Sequence, residues 1–468
     1  MPKFPTIPSL ISSTRASFKS IPSLSPTKEL VCNYETIDNL DVIDDICEDA
    51  YKGYSKWSSR PFDERCEILR AAASLVQKNK EQYVEAHMAI GAARPFAEII
   101  TQMAYQNIVE HASPISRPDG EVLKSKMSQL AMSIKSPVGP VLSIAPWNAP
   151  TVLWARAIAA PLAAGCSVVA KASEKAPITS YLFARDFHKA GVDKEALQVA
   201  QFAPKDQPEA TKRLIEHSKI KKITFTGSSA LGSQLSQIAG SALKPMLLEL
   251  GGKNVSIITP DADLEKAAES SLFSAWLHNG QICMCLDNCF VHSSVYDDFL
   301  KILVKKAQQQ SAEKTPLRDV EGADKVRGLV SQALEKGAKV AFGDPKQSSD
   351  AFVSPLILTD VDKSMNIYVE ETFGPVFSVI KYDTIDGVVN AVNDLRFGLK
   401  TSIWSKDVLN AIAVAKKIDT GAVHVNGSTV HDEATVPHGG VGQSGFGRFN
   451  NKWGLDEFSF EKVITANP

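Results

Sequence analysis

The chain has 468 residues, with 51 Lys and Arg against 53 Asp and Glu, a formal net charge of −2. That balance gives no electrostatic reason to expect nucleic acid or an anionic membrane as partner, and no apolar run approaches the roughly 18 residues of a membrane-spanning helix. At 44% hydrophobic and 22% charged the composition is that of a soluble globular protein of about two to four domains. Its seven cysteines are few and odd in number, which argues against a disulfide framework and for a reducing compartment such as the cytoplasm.

In chain order, the first 28 residues hold no acid, four basic residues (Lys3, Arg15, Lys19, Lys28) and seven serines. That composition also suits a mitochondrial transit peptide. Pro5, Pro8, Pro22 and Pro26 would break an amphipathic helix, so a surface β-arm is the preferred reading. From Asp63 to Ile90 the apolar spacing (Ile68, Leu69, Ala72, Leu75, Val76) is helical. Between Pro114 and Pro137 the chain is polar and extended, and "QLAMSIKSPVG" alternates as a strand in an arm. Strands and helices then alternate: "GPVLSIAPWN" (strand), "APTVLWARAIAAPLAAG" (helix), "SVVAKASE" (strand), "PITSYLFARDFHKAG" (helix), "KKITFTGSS" (strand), "ALGSQLSQIAG" (helix). This order implies an α/β fold with a parallel sheet covered on both faces. A second alternating unit begins at "KNVSIITP", and the break between the halves is expected near "ELGGKN" (Glu249–Asn254).

Three cysteines fall within "HNGQICMCLDNCFVH" (His278–His292): Cys283, Cys285 and Cys289. Their C-x-C-x3-C spacing with no second cluster does not match the paired ligands of zinc sites, so no resident metal is expected. A redox C-x-x-C is absent. Gly280 reads as the C-cap of the helix "AESSLFSAWLHN", which leaves Cys283 in a turn between helix and strand, a place for a nucleophile if its surroundings lower the thiol pKa. A small buried hydrophobe is the plain alternative.

Other motifs decide between the two. "PWN" (Pro146–Asn148) ends a strand; Asn148 is either an N-cap or a donor to an oxyanion. "KASE" (Lys171–Glu174) ends another strand, where Lys171 and Glu174 can meet ribose hydroxyls. "FTGSSALG" (Phe225–Gly232) is a strand–glycine–helix turn suited to a pyrophosphate. "LELGGKN" carries Glu249 in apolar surroundings, as a raised-pKa base requires. "EETFGP" places Glu371 and Phe373 beside a turn.

Together and in this order, from about Asp41 to the C-terminus, these motifs resemble the aldehyde dehydrogenase superfamily. The tail "HVNGSTVHDEATVPHGGVGQSGFGRF" is most similar to the benzaldehyde, vanillin and salicylaldehyde dehydrogenase branch. The resemblance implies a Rossmann-type NAD-binding domain (1–116 and 138–250), an α/β catalytic domain (251–443) and a β oligomerisation arm (117–137 and 444–468). It implies Cys283 as nucleophile, Glu249 as general base, and Asn148 with the Cys283 N–H as oxyanion hole. Trp147, Lys171, Glu174, Gly227, Ser228, Glu371 and Phe373 would hold NAD, preferred over NADP because Glu174 repels a 2′-phosphate. It also implies a small-molecule aldehyde as substrate and a homodimer or homotetramer. Four positions depart from the pattern: Ala172 in "KASE", Asn288, Lys400, and His438 in place of a usual Phe.

Ala149, small where relatives often carry Phe, and His438 are expected at the substrate. Asn148, Val152 and Arg156 share a helix face, so Arg156 is expected to look into the channel towards a ring-substituted aromatic aldehyde; an interdomain salt bridge is the competing reading. A CoA-acylating enzyme and a catalytically impaired binding protein are the rival functions. Glu249 argues against the first, and the intact Cys283, Glu249 and Asn148 against the second.

Overall fold

The computed structural model describes residues 4–113, 120–309 and 315–468. The expected boundary at 116/117 falls outside them. Among the described residues no helix is long and apolar enough to cross a membrane.

Two large sheets carry the architecture. The first has six strands, in the spatial order Gly445–Phe446, Met246–Glu249, Lys222–Thr226, Val141–Ile144, Val168–Lys171, Leu197–Ala200. All pair in parallel except Gly445–Phe446. The second has seven, in the order Lys339–Phe342, Leu356–Thr359, Val376–Tyr382, Leu286–His292, Asn254–Ile258, Lys400–Trp404, Ala422–Val425, with only Lys339–Phe342 antiparallel. The central strands are buried almost throughout, which is why they read as continuous apolar runs rather than alternating ones.

The first sheet builds outward from Val141–Ile144, first to one side and then, after a crossover, to the other. The strand ends on either side of that reversal, Ile144 and Thr226, open the crevice where such sheets bind ligands. From Glu249 the chain crosses by Leu250–Lys253 directly into the first strand of the second sheet. A cleft therefore forms between the C-terminal strand ends of one sheet and the N-terminal strand starts of the other.

A third sheet is antiparallel, with Leu130–Pro137 between Gly120–Val122 and Ser459–Ala466. Gly445–Phe446 joins the first sheet, so the C-terminal residues divide between two sheets. At the other end, Phe18–Leu24 pairs with Leu30–Ile37 and Ile7 is buried; the chain forms a β-arm here.

Two helices differ from the sequence expectation. Asp63–Ile90 is two helices, Phe62–Lys78 and Lys80–Met88. At the break the Asn79 amide donates to buried Asp186 (3.0 Å), a tertiary bond that periodicity does not reveal. The helix before Cys283 stops at Trp276, three residues short of Asn279. His278 and Asn279 then take left-handed backbone angles (φ 50° and 54°). His278 stacks on Phe96 with centroids 4.6 Å apart, and the Asn279 amide donates to the Thr315 carbonyl. Gly280 follows because a Cβ there would lie 2.1 Å from the Gly374 carbonyl oxygen.

Buried polar groups fasten the loops at the cleft. Lys253 pairs with Asp287 at 3.0 Å, both inaccessible, and the Thr372 N–H donates to the same carboxylate (3.2 Å). Removing one member of such a pair strands the other charge. Asp287→Ala is therefore expected to lower stability by about 3–5 kcal/mol, read from the denaturant midpoint, whereas Lys253→Met with Asp287→Leu recovers most of it. A near-neutral Asp287→Ala would show that the pair does not fasten these loops.

Candidate active site

Four loops converge on the cleft, whose volume is about 520 Å³. Trp147 and Asn148 follow the strand Val141–Ile144; Gly227 and Ser228 follow Lys222–Thr226; Glu249 ends its strand; Cys283, Glu371 and Phe373 precede strands of the second sheet. All eight line the cavity. Lys171 and Glu174 stand further along the first sheet, bridged by Gln207, which accepts from Lys171 Nζ (2.7 Å) and donates to Glu174 (2.8 Å). Burial brings the Lys171 ammonium down to about 8, against the pull of Glu174. Gln207 was not singled out in the sequence, where it is one polar residue in a helix start.

A larger surface cleft of about 620 Å³ lies at the opposite, C-terminal ends of the second sheet's strands, lined by Asp360, Lys363 and Tyr382. No cysteine lines it.

Asn148 is not an N-cap. The helix runs Pro150–Ala164, with Ala149 at its cap and no side-chain capping bond. The Asn148 amide is left for the site: it donates one N–H to the Gln281 carbonyl (2.9 Å) and keeps the other. His87, buried below, donates a ring N–H to the Asn148 carbonyl (3.1 Å). Phe373 has φ 53° and meets Trp147 edge-on, centroids 6.1 Å apart. Glu371 accepts the Gly252 N–H (3.1 Å); burial, with the nearby Asp287 charge, raises its pKa to about 7.

Cys283 is partly accessible, whereas Cys285 and Cys289 are buried. Its turn is fixed by Asn254, whose Nδ2 donates to the carbonyls of Cys283 and Cys285 (2.8 Å each). Two electrostatic expectations are overturned. The Cys283 thiol is raised well above its usual range, by burial and then by the neighbouring Glu249 charge. Glu249 is held below its usual range, not above it: burial opposes ionisation, but His438, Cys283 and Arg156 outweigh it. The resting pair is a protonated thiol beside an ionised carboxylate. Apolar neighbours in sequence do not reveal these polar neighbours in space.

The three residues expected at the substrate, Ala149, Arg156 and His438, do not line the 520 Å³ cleft. Each is buried. Arg156 lies near enough for its charge to act on Glu249 and Cys283, but its guanidinium is engaged by buried Asp432 and by Asn450 Oδ1. His438 stands between two carboxylates, with Nε2 3.5 Å from Glu249 and Nδ1 3.5 Å from Asp432. Lys400, on the strand start nearby, is buried too; burial and the Arg156 charge bring its ammonium to about 8. Asp432 lies in an aperiodic loop where no sequence signal marks it.

A family model described as "Aldehyde dehydrogenase family" matches residues 13–464. The vanillin dehydrogenase of Pseudomonas fluorescens is 35% identical over 425 residues, 89% of this chain and 88% of that protein. The salicylaldehyde dehydrogenase of Pseudomonas putida is 35% identical over 430 residues, 90% and 89% respectively. Among solved structures, the salicylaldehyde dehydrogenase from Pseudomonas putida G7 complexed with salicylaldehyde superposes with a TM-score of 0.94 at 32% identity, covering 99% of this chain and 98% of that one.

The electrostatics give a test. Iodoacetamide reacts with thiolate, so labelling of Cys283 is expected to accelerate steadily as pH rises above neutral, with Cys285 and Cys289 unlabelled. Glu249→Gln removes the charge that disfavours the thiolate, so labelling at a fixed pH near 8 is expected to become faster. Slower labelling in that variant would mean that Glu249 instead helps to deprotonate the thiol.

Proposed function

The chain belongs to the aldehyde dehydrogenase family, and from that premise we propose that it oxidises an aromatic aldehyde to the carboxylic acid with NAD. The observation that carries the reading is the convergence of the Cys283 sulfur and a Glu249 oxygen, within 4.8 Å of each other, with the Asn148 amide on the same cleft. Vanillin and salicylaldehyde dehydrogenases among the relatives support the aromatic substrate.

The residues around the crevice fit a dinucleotide. A Cβ on Gly227 would lie 2.4 Å from the Phe225 ring, so the turn admits only glycine, and Ser228 caps the helix Ser229–Ser241, whose N-terminal N–H groups suit a pyrophosphate. Lys171 and Glu174 would hold the ribose, and Trp147, Glu371 and Phe373 the nicotinamide end.

Cys283 releases its proton to solvent in the cleft and adds as thiolate to the aldehyde carbon, and the new oxyanion is met by the free N–H of Asn148 and the Cys283 backbone N–H. A nicotinamide held by Trp147, Glu371 and Phe373 would supply the hydride acceptor that lets the Cys283 adduct become a thioester. Glu249, ionised and adjacent, takes a proton from water; the hydroxide attacks the thioester, the carbon–sulfur bond breaks, and Cys283 is restored. An ionised base beside the thioester favours water over a CoA thiol as acyl acceptor.

Assembly enters on the same footing. The strand Ser459–Ala466 is the edge of its sheet, with Val463 63% exposed and Phe460 and Ile464 also exposed. An uncovered apolar edge invites pairing, which supports a homodimer or homotetramer. The seven free thiols suit a cytoplasmic setting.

Three outcomes are expected. NADH absorbance grows with benzaldehyde or hydroxybenzaldehydes and no CoA; a strict CoA requirement would replace this reading with the acylating one. Glu174→Gln raises the NADP/NAD ratio of kcat/KM on the order of tenfold, the size of about 1.4 kcal/mol; an unchanged ratio would remove Glu174 from cofactor selection. Sedimentation at micromolar concentration gives a dimer or tetramer that Val463→Lys loosens; monomer alone would contradict the edge assignment.

A further inference from the structure

The side of Glu249 away from the cleft presents a feature that aldehyde oxidation does not use. The Cys283 sulfur, a Glu249 oxygen and a His438 ring nitrogen all lie within 4.8 Å of one another. Glu249 and His438 are each 1% exposed, yet neither carboxylate oxygen and neither ring nitrogen makes a hydrogen bond. Buried polar atoms are rarely left without partners. Here four of them lie on two adjoining side chains, with Nε2 and the Glu249 carboxylate next to a thiol and Nδ1 turned to Asp432.

The chemistry of that cluster is one-sided. A neutral imidazole has one N–H and one lone pair. Asp432 stands 3.5 Å from Nδ1 and is itself held by Arg156. When a cation takes the place of any proton on Nε2, the ring proton resides on Nδ1, facing Asp432, and the Nε2 lone pair faces the ion. Sulfur, carboxylate oxygen and imidazole nitrogen then offer three electron pairs to one point. A carboxylate behind the imidazole is the arrangement that orients histidine on zinc.

We propose that Cys283, Glu249 and His438 form a site for a soft divalent cation, with zinc the best match to the ligand set, and that occupancy reversibly blocks the nucleophile. On binding, Cys283 releases its proton to solvent and the thiolate sulfur bonds the metal; no electron is transferred. Bond lengths of roughly 2.0–2.3 Å in a tetrahedron require ligand atoms about 3.3–3.7 Å apart. The Glu249–His438 separation of 3.5 Å already lies in that range, and rotation of the Cys283 side chain closes the rest. Glu249 and Cys283 both line the open cleft, which supplies an entry path and a water as fourth ligand. The ligands come from three distant stretches of chain, so the cysteine spacing within "CMCLDNC" is silent about them. A phenylalanine at position 438 would remove the third ligand.

The test titrates the cofactor-free enzyme with Zn²⁺ by calorimetry and with Co²⁺ by absorption. The expected result is one ion per chain, a thiolate-to-cobalt charge-transfer band, protection of Cys283 from iodoacetamide, and inhibition reversed by EDTA. Asp432→Asn, which reaches the ion through the ring and also neutralises the partner of Arg156, is expected to weaken Zn²⁺ binding about 10–100-fold, and His438→Phe to weaken it further. NADH binding, followed by fluorescence, confirms that each variant is folded. A folded His438→Phe protein that binds Zn²⁺ as tightly as the parent would overturn the proposal, as would a Co²⁺ spectrum without the thiolate band. If His438→Phe does not fold, undiminished binding by Asp432→Asn is the overturning result.

Discussion

The side-chain amide of Asn254 holds the nucleophile in place. Its Nδ2 donates to the carbonyls of Cys283 and Cys285, and its Oδ1 accepts the Lys400 N–H (3.0 Å). Three of the amide's four hydrogen-bonding positions are thereby filled inside the protein. Asn254 is the first residue of an interior strand of the second sheet, so the Cys283 turn is referenced to that sheet rather than left to its own loop. The neighbouring residues of the crossing extend the same logic: the Gly252 N–H fixes Glu371, and Lys253 fixes Asp287 and, through it, Thr372. One short stretch between two sheets therefore sets the relative positions of nucleophile, base and the loop proposed to hold the nicotinamide. Loss of any of these bonds would leave buried carbonyls or charges without partners, at a cost larger than the net worth of the bond itself.

The same dry enclosure sets the charge state. Sulfur and carboxylate lie too close, in too little water, for both to ionise readily, and the proton resides on the thiol. Cationic groups answer on the far side: Arg156 is tied to Asp432, and Lys400 is depressed by burial. His438 stands between the carboxylates of Glu249 and Asp432. The result is a pocket rich in electron pairs at rest, suited both to receiving a proton from water and to receiving a metal ion.

What the sequence revealed follows from the range over which each signal acts. Alternating strands and helices, the glycine turn at Gly227, and the residues at strand ends are local in chain and were legible; the structure brings Asn148, Glu249, Cys283, Glu371 and Phe373 to one cleft. What depends on residues distant in sequence was not. The break at Asn79 depends on Asp186, more than a hundred residues on. The early end of the helix at Trp276 depends on Phe96 and Thr315. Arg156 lies in the expected helix, Pro150–Ala164, but Asn148 precedes that helix, and the partner Asp432 lies in a loop with no periodicity, so the competition between substrate and ion pair could not be weighed. The pKa directions of Cys283 and Glu249 were misjudged for the same reason, since each is governed by neighbours from other segments.

The central claim is that Cys283 carries the acyl group and Glu249 is needed to release it. Glu249→Gln protein, mixed with NAD and benzaldehyde and examined by intact and peptide mass spectrometry, tests this most directly. The account predicts a benzoyl adduct, one per chain, that maps to Cys283 and persists because water is no longer activated. An adduct on Cys285 or Cys289, or no adduct on a folded protein that still binds NADH, would contradict it.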